Sequence, residues 1–334
     1  MTRVAGDTDV AAKHLAAIYA PIQNHLDQVE DLLRRELRSD YPTVDELVRY
    51  GFRIGGKRLR PALVLLSAKA VGELNESHVV LSAVLEMIHT ATLIHDDVLD
   101  EAAIRRHVDT VNARWSNEKS VLLGDFLFTH AFYLASTMES TYACRTIGRA
   151  TNIVCEGELR QTGGSGNFDL TEETYLDIID SKTAELCACC CSLGAHYADA
   201  DPNVEERLRS FGRWLGIAFQ IADDLLDLVG DESTTGKSLG TDLEKRKATL
   251  PLIHLLAQAS SDERADVMAI LSGTTNGHRD QLLGALERCG AIEYTRAKAR
   301  EYADRALVCL ADVPPSESRD VLEYLTRFVV DRQE

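Results

Sequence analysis

Two stretches of the chain place aspartates at the same spacing. IHDDVLDEAAIRR at 94–106 sets Asp96, Asp97 and Asp100 within five residues, and FQIADDLLDLVG at 219–230 repeats the pattern with Asp223, Asp224 and Asp227. On a helix, Asp96 and Asp100 stand four residues apart and stack on one face, as do Asp223 and Asp227. Carboxylates this close repel one another, and taking them out of water is costly unless a cation lies between them. Magnesium fits such a pair: it prefers oxygen ligands, keeps several waters, and is usually held by one or two carboxylates together with phosphate oxygens. A single DDxxD is equally the signature of a solvated acidic helix end. A second copy with apolar flanks is not explained that way, and it predicts two helices delivering carboxylates to one site.

Positive groups accompany the first cluster. Arg105 and Arg106 follow Asp100, and GGKRLRP at 55–61 adds Lys57, Arg58 and Arg60. Guanidinium forks match phosphate oxygens. Lys57 and Arg60 can share a helix face, while Gly55 and Gly56 let backbone approach a ligand closely. Taken alone, such residues would be surface ion pairs of little value. His89 lies two turns before Asp96, within reach of a bound phosphate or else a satisfied core histidine. With Glu86 it forms ExxH, a di-iron pattern, but such a site needs two copies plus further glutamates, and the sequence has no second copy. GDESTTGKS at 230–238 is not a P-loop, because five residues instead of four separate Gly230 from Gly236 and a helix precedes it instead of a strand. A long polar loop carrying Lys237 and Asp242 reads instead as a lid over phosphates or as a plain connection.

Helical periodicity positions these residues. It predicts helices near 10–39, 43–52, 57–72, 77–101, 117–139, 141–161, 171–199, 203–230, 247–259 and 262–272, with three more beyond 277 and no strand. The helix near 77–101 is apolar on most faces and is therefore central, so its aspartates sit at the end of a core helix. The fold class is all-α, a single large bundle with a central cavity, in one domain over 1–334. With 45% hydrophobic and 27% charged residues in 334 the chain has ample material for a core, and no linker-like composition divides it. A net charge of -17 disfavours nucleic acid or an anionic membrane as main partner. No apolar run approaches the roughly 18 to 20 residues of a membrane span, and MTRVAGDTDVAAKH is no secretion signal, so the expected location is cytoplasmic. The cysteines of CACCC at 187–191 are expected as reduced packing residues, since Cys187 and Cys190 have no second pair to complete a zinc site.

Taken in order, GGKRLRP, HTATLIHDDVLDEAAIRR, LLGDFLFTHAF, KTAEL, FQIADDLLD and GKSLGTDLEKRKATLPL over roughly 50–255 resemble the trans-isoprenyl diphosphate synthases, and GAIEYTRAKAREYADRAL resembles their long-chain members. Two positions depart from the family pattern, His107 for a glycine and Ser238 for a proline. The resemblance implies the isoprenoid synthase fold and head-to-tail elongation of an allylic diphosphate, farnesyl diphosphate for example, by isopentenyl diphosphate, giving a long all-trans polyprenyl diphosphate of the kind used for quinone side chains. It implies three magnesium ions, two on Asp96 and Asp100 and the third on Asp223. Arg105, Lys182 and Lys237 would grip the allylic diphosphate, and Lys57, Arg60, His89 and Arg106 isopentenyl diphosphate. Thr183 and Gln220 would lie near the allylic cation. A homodimer is the family expectation. The growing tail is expected to run back along the helix from Asp96 past Thr92, Ala91, Ile88, Met87 and Val84, where small side chains leave room beyond farnesyl length, to a floor drawn from Phe128, Phe132 or Tyr133. A geranylgeranyl-length synthase, a terpene cyclase and a non-catalytic subunit are the alternatives, and the intact second DDLLD and basic residues weigh against the last two.

Overall fold

The computed structural model describes residues 18–53, 56, 58–105, 108–164, 166–229, 247–272 and 278–331. Its elements in chain order are α1 (Gln23–Glu36), α2 (Pro42–Arg53), α3 (Leu59–Val71), α4 (Glu76–Leu99), a strand pair β1 (Ile104–Arg105) and β2 (Val108–Asp109), α5 (Val111–Arg114), α6 (Asn117–Ser136), α7 (Tyr142–Gly163), α8 (Glu172–Ile179), α9 (Glu185–His196), α10 (Pro202–Val229), α11 (Leu250–Gln258), α12 (Ser261–Ser272), α13 (His278–Arg288), α14 (Ala291–Leu310) and α15 (Glu317–Asp331). The fold class is all-α, as the periodicity predicts. Four details differ, the unexpected single-turn α5 being one. A 3-10 turn at Ala20–Ile22, with Pro21 removing a backbone donor, precedes α1. The helix expected over 171–199 is α8 and α9 joined by a π-helical turn, Asp180–Ala184. The strand pair, unexpected because two residues per strand carry no alternation to read, is antiparallel with Ile104 opposite Asp109 and Arg105 opposite Val108.

The packing resolves into two compact units. The first comprises 1–149, 187–212 and 309–324. Its centre is α4, packed by α1, α3 and α6. Asn75 starts α4 through a capping box: its side chain accepts from Ser77 N at 3.0 Å, and its own N–H donates to His78 Nδ1 at 3.0 Å. Glu101, at φ 50°, stops the helix just past Asp100. By length and composition α4 is long and apolar enough to cross a membrane, contrary to the expectation that no run is. However, 72% of its apolar window is buried inside the protein, which makes it a core helix. Cys187, Cys189, Cys190 and Cys191 of α9 are also buried in this unit. Burial pushes the thiols of Cys187, Cys190 and Cys191 up, so they stay protonated and pack as small apolar groups.

The second unit comprises 150–186, 213–308 and 325–334. One apolar cluster joins Tyr175, Ile179 and Ala184 to Ile217 and Ile221 of α10 and to Tyr302 of α14. Another joins Leu228 to Leu252 and Leu255 of α11 and Leu282 and Leu286 of α13. These clusters fix the C-terminal half of α10, which carries the second aspartate motif.

Candidate active site

Both aspartate motifs lie in the last turns of their helices, α4 ending at Leu99 and α10 at Val229. A helix C-terminus carries a partial negative charge, so three carboxylates there are doubly unfavourable without cations. In the first motif the protein supplies one. Asp97, one residue on from Asp96 and so about 100° further around the helix, is only 2% exposed and takes a 2.8 Å hydrogen bond from Arg105 Nε. The strand pair holds Arg105 there, and Thr110 buttresses the turn by donating to Ala102 O at 2.6 Å. Arg105 was expected on the allylic diphosphate. Its Nε is one of five guanidinium donors, so the pair with Asp97 orients the fork without using it up. Asp96 and Asp100 remain half-buried on their shared face.

Further back along its length, α4 anchors the basic loop. Arg58 adopts φ 53°, a left-handed conformation rare for a non-glycine residue. It persists because the guanidinium is held on three sides: by Glu30 of α1, by Glu86 Oε1 of α4 at 2.8 Å, and by the Phe52 ring 4.6 Å below. Burial works against the charge of Arg58, but the two carboxylates outweigh it and its pKa rises. Thus Glu86 of the ExxH pair serves Arg58. His89, its partner in that pattern, meets Arg60 Nη1 at 3.0 Å. Arginine only donates, so His89 Nε2 is the acceptor of this pair. Replacing Arg58 by alanine leaves Glu86 buried without its partner and is expected to lower stability by about 3 kcal/mol, read as a shift of the urea midpoint.

The second unit brings Lys182, Thr183, Gln220 and the second motif together. Asp224, 7% exposed, accepts from Tyr175 OH at 2.6 Å and from Gln220 Nε2 at 2.6 Å. Thr183 Oγ1 donates to Gln220 Oε1 at 2.8 Å. Lys182 Nζ is paired with Glu158 and donates to Gln161 Oε1 at 2.9 Å. Asp223 and Asp227 are half-buried, like Asp96 and Asp100. Lys182 and Thr183 sit in the π turn, a distortion often found at functional sites. Two glycines admit it: a Cβ on Gly157 of α7 would lie 2.9 Å from Lys182 N, and one on Gly216 of α10 would lie 2.6 Å from Ala184 Cα.

The two motifs therefore share a division of labour. The middle aspartate, Asp97 or Asp224, is turned inward and held by its own partners, while the outer two keep the i, i+4 face. The sequence marks the aspartates but not their partners; Tyr175 and Glu158 carry no motif of their own, and only the mid-helix Gly157 and Gly216 signal a close approach. Lys57, Arg106, Lys237 and Asp242 lie outside the described residues. Among the described residues no three histidine, cysteine or carboxylate side chains converge as a ready-made metal cage. Tyr133, one of the residues expected at the tunnel floor, is 63% exposed on α6 and is excluded from that role. Phe128 and Phe132 are half-buried with ring centroids 5.4 Å apart.

Residues 41–287 match the polyprenyl synthetase family model. The chain belongs to the polyprenyl synthetase family. It is 38% identical over 305 residues to the octaprenyl diphosphate synthase of Escherichia coli, covering 91% of this chain and 94% of that one. It is 36% identical over 320 residues to heptaprenyl diphosphate synthase component 2 of Geobacillus stearothermophilus, covering 95% and 99%. A solved polyprenyl synthase of Caulobacter crescentus, complexed with calcium and isoprenyl diphosphate, superposes with a TM-score of 0.90 at 35% identity, over 96% of this chain and 98% of that one. As a polyprenyl synthetase the protein is a prenyltransferase, of a family that uses isopentenyl and allylic diphosphates and depends on magnesium.

Proposed function

We propose that the chain, as one catalytic domain, condenses isopentenyl diphosphate onto an allylic diphosphate such as farnesyl diphosphate and repeats the step to a long all-trans product, a quinone side-chain precursor. The observation that carries this reading is the repeated DDxxD in which the middle carboxylate is buried on its own partners and the outer pair faces one way. The donors are all carboxylate oxygens at i, i+4 spacing, the set suited to magnesium shared with a diphosphate. Asp96 and Asp100 would hold two ions and Asp223 a third. Bound there, magnesium supplies Lewis-acid neutralisation of the leaving diphosphate.

The chain's own residues do the rest. Arg105, steadied by Asp97, and Lys182, steadied by Glu158, bind the allylic diphosphate together with Lys237. Arg60, steadied by His89, binds isopentenyl diphosphate together with Lys57 and Arg106. When the allylic carbon–oxygen bond breaks, the oxygen dipoles of Thr183 and Gln220 stabilise the cation, the isopentenyl double bond attacks it, and a proton is lost to the departing diphosphate. Incubating the purified protein with farnesyl diphosphate, isopentenyl diphosphate and magnesium should give a linear long-chain diphosphate on chromatography. A cyclic hydrocarbon would identify a cyclase instead. Turnover that appears only on adding another chain would favour a subunit of a heteromeric enzyme, a reading to which the likeness to a component 2 gives some weight.

Product length is assigned to the stretch of α4 behind Asp96. Val84, Met87, Ile88 and Ala91 are buried there and Thr92 is half-buried, with no aromatic ring among these five over about 12 Å of helix. Ala91→Tyr is therefore expected to shift the product pool to shorter chains, read by reversed-phase chromatography of radiolabelled products; an unchanged distribution removes α4 from this role. A homodimer is supported by the exposed apolar side chains Val121, Leu122 and Tyr133 of α6, and a cytoplasmic location by the cysteines standing as free thiols.

A further inference from the structure

Tyr175 belongs to no binding motif, yet it stands at the base of a buried chain of hydrogen bonds. Gln220 turns its NH2 group inward, where Nε2 donates to Asp224 Oδ1 over 2.6 Å. The amide oxygen of Gln220 then necessarily faces Thr183, whose hydroxyl donates to it at 2.8 Å. With its proton committed, Thr183 has only lone pairs left for anything else. Tyr175 OH, on the other oxygen of Asp224 at 2.6 Å, fixes the rotation of that carboxylate. Tyr175 and Thr183 are 4% and 8% exposed, so water has little access to rearrange the chain.

From this polarity we propose that Tyr175 and Asp224 are positioning residues that hold the Gln220–Thr183 pair with its negative dipole ends outward, so that it presents acceptor oxygens to an electron-poor carbon. Neither residue touches substrate; both act through Gln220. A neutral or flipped amide partner lets the pair reverse and present donors, which repel a developing cation. This rests on the reading of Thr183 and Gln220 as cation-facing groups.

The test is a double-mutant cycle between Tyr175→Phe and Thr183→Val, with Asp224→Asn as a second probe of the same link. Tyr175→Phe is expected to lower kcat about tenfold with KM for both diphosphates within twofold, and to cost less than twofold further in the Thr183→Val background. A full tenfold loss in that background, or a loss confined to KM, overturns the proposal. The side-chain amide resonances of Gln220 in the free protein report the same relay without turnover. They are expected to move in both Tyr175→Phe and Asp224→Asn, and unmoved resonances also overturn it. Failure of the wild-type protein to elongate would instead count against the proposed reaction, while the amide resonances still decide the relay.

Discussion

Asp96→Asn is expected to lower kcat by roughly a hundred- to a thousandfold at saturating magnesium, while leaving the unfolding midpoint close to that of the wild type. Asp97→Asn should do the reverse. The two carboxylates are neighbours in sequence, but Asp96 is half-buried on the face shared with Asp100, whereas Asp97 is enclosed and paired with Arg105 at 2.8 Å. Removing charge from the first takes away electrostatic stabilisation that matters only as the diphosphate departs. Removing it from the second weakens a charge-assisted hydrogen bond that ties the strand pair to α4, at a cost of about 2 kcal/mol in stability. Its effect on turnover should be smaller and exerted through a loosened Arg105. Parallel urea titrations and steady-state assays of the two variants separate the roles. Equal losses of stability in both would show that Asp96 is a structural residue.

Gly216→Ala should be the most damaging single-methyl change in the second unit. The added Cβ would stand 2.6 Å from the Cα of Ala184, a backbone atom that no rotamer change can move aside. Overpacking of this kind costs about 3 kcal/mol. The π turn that absorbs the displacement carries Thr183 and Lys182, and a shift of about 1 Å in reacting groups can cost on the order of a hundredfold in rate. Both a lower thermal midpoint and a kcat reduced about a hundredfold are expected. The control is Gly148→Ala on α7, whose Cβ would meet only a ring carbon of Phe132 at 3.8 Å and which should be nearly neutral. Wild-type turnover in Gly216→Ala would mean that the close approach of α10 to Ala184 is not what positions Thr183.

Most of the architecture is legible in the sequence because long amphipathic or apolar periods have no other use: α4, α6, α7 and α10 all fall within a few residues of where the pattern puts them. The DDxxD copies are legible for a similar reason, since repelling charges on a buried helix demand an explanation. What the sequence conceals is orientation. Nothing in DDVLD says that the second aspartate turns inward, because that depends on Arg105 being folded back by a strand pair too short to predict. The pairing of Tyr175 with Asp224, 49 residues apart, is equally invisible to any local pattern. The glycines are a partial exception. Gly in a helix interior costs about 1 kcal/mol relative to alanine, so Gly157 and Gly216 mark places where something passes close by, without saying what.

The bilayer-like character of α4 has a consequence for synthesis. When this segment emerges from the ribosome, α1 and α3, which cover part of it, have already been made, but α6 has not. Until residue 136 is complete, the stripe of α4 reserved for α6 stays open to chaperones, to lipid, or to another nascent chain. The interval between the two helices, hardly more than the α5 turn and its hairpin, keeps that window brief.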